Sequence, residues 1–120
     1  MAVSIKELIQ QKEKIERKKQ DKFDLETSIG VITVKQPTRS FVAETLALSE
    51  GEDEYIILEC VVEPNLKDRE LQEAYECTEP TDIVGKLFLP GEITAIATKI
   101  VQCAGYRKEI RAELHKMAKN

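Results

Sequence analysis

Hydrophobic residues in the last third of the chain recur with the period of an α-helix. From residue 93 they fall at i, i+3, i+4, i+7, i+8 and i+11, namely Ile93, Ile96, Ala97, Ile100, Val101 and Ala104. Pro90 stands at the expected first helical position, and Glu92 follows where the helix dipole favours an acid. The pattern predicts an amphipathic helix that begins at Pro90 and breaks or kinks at Gly105.

A period of two earlier in the chain predicts a β-hairpin over residues 23–36. Phe23 and Leu25 alternate with acidic residues, Ile32 and Val34 alternate with polar ones, and Gly30 lies between the two runs. Two strands alone are marginal in water. One face of the hairpin is therefore expected to lie on helices.

Residues 1–22 are predicted to form an N-terminal helix. Ser4 and Glu7 have the spacing of a capping box, in which each side chain accepts a hydrogen bond from the other residue's backbone N–H. After Ile9 only Ile15 continues the apolar stripe, within a highly charged run. The first two turns can pack, and the remainder is expected to project into water or to meet a partner.

The segment EDEYIILECVV, residues 52–62, fits a strand by propensity and a helix by charge pattern. At about 100° per residue, Glu52, Glu59 and Glu63 fall within about 40° of one another on a helix. A strand would place Glu52 on the opposite face from the other two. We therefore predict a mostly buried helix that stops before Pro64.

Capping residues and prolines divide the other segments into short helices. Thr38 or Ser40 is predicted to cap one that Gly51 stops, and Asn65 and Thr78 to cap two more. A basic tail helix is predicted beyond Gly105, with an apolar side made of Ile110, Leu114 and Met117.

These elements predict an α+β fold that is mostly α. The expected organisation is a single domain over residues 1–120, with an N-terminal helix at 1–22, a hairpin at 23–36 and a helical core of short helices at 38–119. A chain of 120 residues is enough for one modest core.

Charge is distributed unevenly around a net value of −4. Residues 1–22 have a net charge of +3, residues 50–82 of −10, and residues 99–120 of +4. These regions are either solvated helix faces or surfaces that meet each other, in the same chain or in a neighbour. The acidic block argues against a nucleic-acid partner. The longest apolar run, Tyr55–Leu58, is far shorter than the roughly 20 residues that cross a bilayer, so no membrane partner is expected.

Residues suited to catalysis are scarce. His115 is the only histidine, and Cys60, Cys77 and Cys103 have neither metal-ligand spacing nor an even count for disulfides. Glycine-rich phosphate loops and nucleophile motifs are absent from the sequence. We predict no catalytic, metal-binding or cofactor-binding residues and no enzyme activity. The cysteine usage and the lack of a signal peptide indicate a reducing, cytosolic setting.

The order of these motifs resembles the phage tail assembly chaperones, in particular the XkdN-like group of prophages with contractile tails. The resemblance covers roughly residues 33–106 and lies in three runs: VKQPTRSFVAETLAL, DEYIILECVVEPNLKDRELQEAY and EPTDIVGKLFLPGEITAIATKIVQCAGY. The pairing of CVVEPNL at 60–66 with KLFLPGEI at 86–93 is its most specific part. Glu76–Cys77 departs from it, because the family leads us to expect a glycine after Tyr75.

The resemblance implies a non-enzymatic role and supplies no catalytic residues. Such chaperones bind the tape measure protein, a long helical rod that sets tail length, and keep it soluble while the tail tube assembles. Further implied partners are the tail tube protein and a frameshifted, C-terminally extended form of the chain, and a homo-oligomer is compatible with the sequence. The implied location is the cytoplasm of the bacterial host, with the protein absent from the mature virion.

Partner contact is expected on the Phe88–Leu89 edge and the adjoining helix, with the candidate residues Phe88, Leu89, Ile93, Ile96 and Ile100. The alternative is that the three isoleucines belong to the core. Two other functions stay open at this point. One is a structural tail component retained in the particle, and the other is an acidic regulatory adaptor protein.

Overall fold

A computed structural model describes residues 1–106 of the chain. Over this range it contains seven helices and three strands, which confirms the α+β, mostly α prediction. In chain order the elements are α1 (Ile5–Gln10), α2 (Lys12–Lys18), β1 (Lys22–Thr27), β2 (Gly30–Lys35), α3 (Arg39–Leu46), α4 (Glu52–Cys60), β3 (Val61–Glu63), α5 (Arg69–Ala74), α6 (Asp82–Leu87) and α7 (Pro90–Cys103). The predicted tail helix with Ile110, Leu114 and Met117, and also His115, lie outside the described residues.

The N-terminal arm, residues 1–18, buries none of its side chains. It begins as predicted: Ser4 Oγ accepts a hydrogen bond from the Glu7 N–H at 3.1 Å, and the Glu7 carboxylate accepts one from the Ser4 N–H at 3.0 Å. The single helix predicted for residues 1–22 is instead two short helices separated at Gln11. All residues from 1 to 24 are exposed.

The predicted hairpin is confirmed and belongs to a three-stranded antiparallel sheet in the order β1-β2-β3. Strands β1 and β2 pair from Lys22 opposite Lys35 to Thr27 opposite Gly30. Ile32 and Val34 are both buried, as predicted, because residues two apart in a strand point to the same face of the sheet. The central strand β2 therefore supplies the apolar face that lies on the helices.

The prediction of a helix up to Pro64 is wrong at its end. The helix α4 stops at Cys60, and Val61–Glu63 form strand β3, with Val61 opposite Val34 and Glu63 opposite Thr33. The free edge of β2 offers backbone hydrogen bonds that Val61, a buried β-branched residue, takes up. The paired residues are 27 or more positions apart in sequence. The charge pattern within residues 52–63 therefore gave no indication of this pairing.

Helix α4 lies at the centre of the core. It packs against α7, α6, α3 and β3, and four of its nine residues are buried. The core consists of Ile32, Val34, Phe41, Ile56, Ile57, Leu58, Cys60, Val61, Leu66, Ile83, Val84, Phe88, Ile93, Ile96, Ala97 and Ile100. The rings of Phe41 and Tyr55 pack at 5.2 Å between centroids, which joins α3 to α4.

Helix starts agree with the predictions at Thr38 and Pro90. The Thr38 hydroxyl accepts a hydrogen bond from the Phe41 N–H at 3.1 Å, and Pro90 is the first residue of α7. Gly51 does not stop α3, which ends at Leu46. It directly precedes α4 with a φ of +77°, a left-handed conformation that glycine adopts without strain.

The two other predicted caps are wrong: Asp68 caps α5 in place of Asn65, and α6 begins after Thr81 without any side-chain cap. Asp68 caps α5 by accepting a hydrogen bond from the Leu71 N–H, while Asn65 caps only a local turn through the Lys67 N–H. Thr78 gives its N–H to the carboxylate of Asp82 and caps nothing. At α5 the charged acceptor Asp68 forms the stronger hydrogen bond.

Glu76 occupies the position after α5 where a glycine was expected. Its φ is +54°, in the left-handed region, and the N–H groups of Glu76 and Cys77 close the helix on the carbonyls of Glu73 and Gln72. This is the Schellman arrangement, in which glycine is preferred because a Cβ is strained there.

The burial of Ile57 predicts a large effect of truncation. Ile57→Ala removes a side chain that is 0% exposed at the centre of α4, so we expect the free energy of unfolding to fall by about 2–5 kcal/mol. Leu46→Ala is the control, because Leu46 is 74% exposed and its loss should cost about 0.5 kcal/mol or less. Urea unfolding followed by circular dichroism measures both, and equal losses would contradict the core described here.

The strain at Glu76 predicts that glycine stabilises the chain. We expect Glu76→Gly to raise the free energy of unfolding by about 1 kcal/mol, because it relieves the left-handed Cβ. Ala74→Gly, two residues earlier and still helical, should instead lower it by about 0.5–1 kcal/mol. The same urea titration applies, and stabilisation by both glycines, or by neither, would contradict the assigned conformation.

Candidate partner-binding surface

Two hydrogen bonds tie the hairpin turn to the start of α7. The N–H of Ser28 donates to Glu92 Oε2 at 2.8 Å, and Ser28 Oγ donates to Oε1 at 2.6 Å. Glu92 lies in the first turn of α7, so one carboxylate joins two elements 64 residues apart. We call this contact the clasp. It fixes the position of the hairpin relative to the helix.

An open groove of about 990 Å³ runs between the hairpin and α7 beside the clasp. Leu25 and Val31 line it on the hairpin side, and Ala95 and Ile96 on the helix side. Charged residues also line it, with three acids against one base: Asp24, Glu26, Glu92 and Lys99. The groove thus combines apolar walls with an acidic border.

Three exposed apolar residues lie close to the clasp in sequence. Ile29 follows Ser28 in the turn, Val31 follows in β2, and Leu89 directly precedes α7. Leu89 is 75% exposed and Val31 is 61% exposed. Single exposed apolar residues are ordinary, but these three lie within three residues of Ser28 or Glu92, and Val31 also lines the groove. We call Ile29, Val31 and Leu89 the clasp rim.

The five residues predicted to contact a partner divide into two groups. Phe88, Ile93, Ile96 and Ile100 are buried in the core, as the alternative interpretation expected for the isoleucines, whereas Leu89 is exposed. Of the five residues, Leu89 alone exposes a large part of its side chain to solvent in this conformation. Partner contact by the five remains a prediction.

Sequence reasoning missed the hairpin side of this surface. Val31 is apolar but out of phase with the buried residues Ile32 and Val34, because adjacent strand residues point to opposite faces. An apolar residue at a polar position of an alternating strand was the available signal. The link between Ser28 and Glu92 had no sequence signal, since it depends on the tertiary fold.

The thiols of Cys60 and Cys103 have low reactivity. Burial raises the pKa of Cys60 to about 11, and burial also raises the pKa of Cys103. A thiol with a raised pKa is protonated at neutral pH, so these two are poor nucleophiles and poor metal ligands. All three cysteines, Cys77 included, are free thiols.

Ion pairs in the described chain connect elements on the surface. Glu59 of α4 accepts from Lys67 Nζ at 3.0 Å and from Lys35 Nζ at 3.4 Å. The hydrogen bond from Lys67 lowers the pKa of Glu59. Within residues 1–106, no three His, Cys, Asp or Glu side chains converge in a metal-binding arrangement. Nor does any helix over this range have the length and apolar character to span a bilayer.

Comparison with solved structures shows a related fold. The chain is similar to the crystal structure of the protein YqbN, with a TM-score of 0.59 and 19% sequence identity. The similarity covers 72% of this chain and 87% of the YqbN chain. At this identity it concerns the fold alone. No curated protein matches the sequence.

The family comparison covers more than half of the sequence. The family model described as phage XkdN-like tail assembly chaperone protein matches residues 49–118. This range includes α4 to α7 and both CVVEPNL and KLFLPGEI, the most specific part of the resemblance. The predicted family is therefore confirmed: the chain belongs to the phage XkdN-like tail assembly chaperones.

Proposed function

We propose that this chain is a non-enzymatic chaperone that binds the tape measure protein and keeps it soluble while the tail tube assembles. The observation that carries the proposal is membership of a tail assembly chaperone family. The proposed location is the host cytoplasm, with the protein absent from the finished virion. The tail tube protein and an extended form of the chain are further proposed partners.

The clasp rim supplies a physical basis for such binding. A long helical rod exposes apolar stripes until a tube encloses it, and exposed stripes drive aggregation. Leu89, Val31 and Ile29 present apolar side chains that such a stripe can cover. Helix-in-groove recognition uses this combination of an apolar groove and a few anchoring side chains.

The acidic residues that border the groove support the second part of the proposed role, which is to keep the tape measure protein soluble. Asp24, Glu26 and Glu92 line the groove, and the whole chain has a net charge of −4. A complex coated with such chains would carry repelling negative charge, which opposes association between complexes. Apolar contact would hold the rod, and charge would keep the coated rod dispersed.

Co-expression tests the proposal directly. The tape measure protein encoded by the same phage is produced alone or with the full chain, and its soluble fraction is measured after centrifugation. We expect a large gain in soluble tape measure protein with the chain present. An equal insoluble fraction in both cultures would refute the proposed function.

Leu89→Ser tests the surface within the same assay. Loss of this exposed anchor should weaken binding about tenfold, or about 1.4 kcal/mol, and lower the soluble fraction. Leu46→Ser is the matched control, because Leu46 is nearly as exposed but lies on α3. If both variants solubilise the rod as well as the native chain, the clasp rim is not the binding surface.

Mass spectrometry of purified particles tests the proposed absence from the virion. The tape measure and tube proteins should be detected and this chain should not. Its presence at a stoichiometric level would instead favour a structural tail component.

A further inference from the structure

The N-terminal arm carries an apolar stripe that nothing in the described chain covers. Its members are Ile5, Leu8, Ile9 and Ile15, all exposed, with Ile5 at 78%. At about 100° per residue, Ile5, Leu8 and Ile9 fall within about 100° of one another, so they form one face of α1, and Ile15 lies on α2. Helices α1 and α2 have only six and seven residues. Helices this short are marginal in water without tertiary contacts, so a covered stripe would stabilise them.

The arm is fixed at its base. Gln36 Nε2 donates to the carbonyl oxygens of Lys18 at 2.7 Å and Asp21 at 3.2 Å, where the arm joins the hairpin. The arm therefore leaves the body from a defined point. Residues 1–22 have a net charge of +3, so a partner surface that is apolar and acidic would match both of its properties.

The same chain contains a surface with those properties, which we call the α3–α4 groove. It is a depression of about 250 Å³ with an apolar floor that includes Val42, Ile56 and Val101. Leu46, 74% exposed, lines it, and Glu52 and Asp53 provide acidic groups. Residues 43–54 contain five Asp/Glu and no Lys/Arg.

Size and position also match. A cavity of roughly 150 Å³ holds one benzene molecule, so the groove has room for about two branched aliphatic side chains such as Ile5 and Ile9. Tyr106 lines both this groove and the depression beside Lys19 and Gln36 at the base of the arm. The groove therefore lies near the arm's own base. Two copies related by a two-fold axis could thus exchange arms reciprocally.

We propose that the chain forms a dimer in which the arm of each copy places its apolar stripe in the α3–α4 groove of the other. The apolar side chains supply the contact, and the lysines of the arm face Glu52 and Asp53 of the second copy. The competing occupant of the groove is the chain's own segment 107–120, with five Lys/Arg against two Asp/Glu.

Sedimentation equilibrium of the full chain over a range of concentrations tests the proposal. The native chain should show a monomer–dimer equilibrium that weakens as salt is added, because screening reduces the charge attraction. The double variant Ile5→Ser/Ile9→Ser and the single variant Leu46→Ser should each weaken dimerisation tenfold or more. All three positions are exposed in the monomer, and circular dichroism checks that the variants fold.

Mixing the two variants separates exchange between copies from effects within one copy. The arm variant keeps an intact groove and the groove variant keeps an intact arm, so a mixed dimer retains one native arm–groove contact. The mixture should therefore dimerise more strongly than either variant alone. Equal association of the mixture and the separate variants would refute arm exchange.

Leu89→Ser is the control that separates this proposal from the proposed function. It should dimerise like the native chain but lose tape measure binding. The arm variant Ile5→Ser/Ile9→Ser should bind the tape measure protein like the native chain but dimerise more weakly. A native chain that is monomeric at all concentrations refutes the dimer. Unchanged association of Leu46→Ser, with reduced stability to urea, would indicate that residues 107–120 cover the groove, and it would also refute the proposal.

Discussion

The structure depends on the burial of α4 by elements from both sides of it in sequence. Ile56, Ile57, Leu58 and Cys60 are all buried, so this helix is covered on nearly all sides. Each large aliphatic side chain contributes about 1.5–3 kcal/mol when fully removed from water. Helices α3, α6 and α7 and strand β3 all pack on it. Helix α7, with 14 residues, is the longest of these neighbours.

A core of this kind leaves apolar residues outside it. Small domains bury a smaller fraction of their surface than large ones. The arm, the clasp rim and Leu46 hold much of it. Burial raises the pKa of the Cys60 thiol, and Glu59 forms surface ion pairs with Lys67 and Lys35.

The sequence predicted those elements whose stabilising pattern is local. Helix α7 followed from its apolar spacing and Pro90, the hairpin from its alternation around Gly30, and the arm start from Ser4 and Glu7. Each of these signals lies within the element that it predicts.

Features that depend on distant residues were mispredicted or missed. Val61 joins a strand because β2 has a free edge beside it, although its own neighbours favour a helix. Ser28 reaches Glu92 across 64 residues. Of the predicted partner-binding residues, Leu89 could not be separated from buried Phe88 beside it, because the chain leaves helical geometry at Phe88 before α7 begins. That local turn decides which of two adjacent apolar residues faces water.

Helix α7 lies beside both apolar surfaces, the clasp rim and the α3–α4 groove, which are separate from each other. Its first turn holds the clasp beside Leu89, while Ala97 and Val101 in its second half line the α3–α4 groove. Leu89 and Val101 are twelve residues apart, or about 18 Å along a helix at 1.5 Å per residue. A helix is about 10–12 Å across, so one that crosses α7 at one end does not cover the other end. Because α7 packs along α4, the proposed partner-binding surface and the proposed dimer contact lie at different ends of one rigidly packed helix.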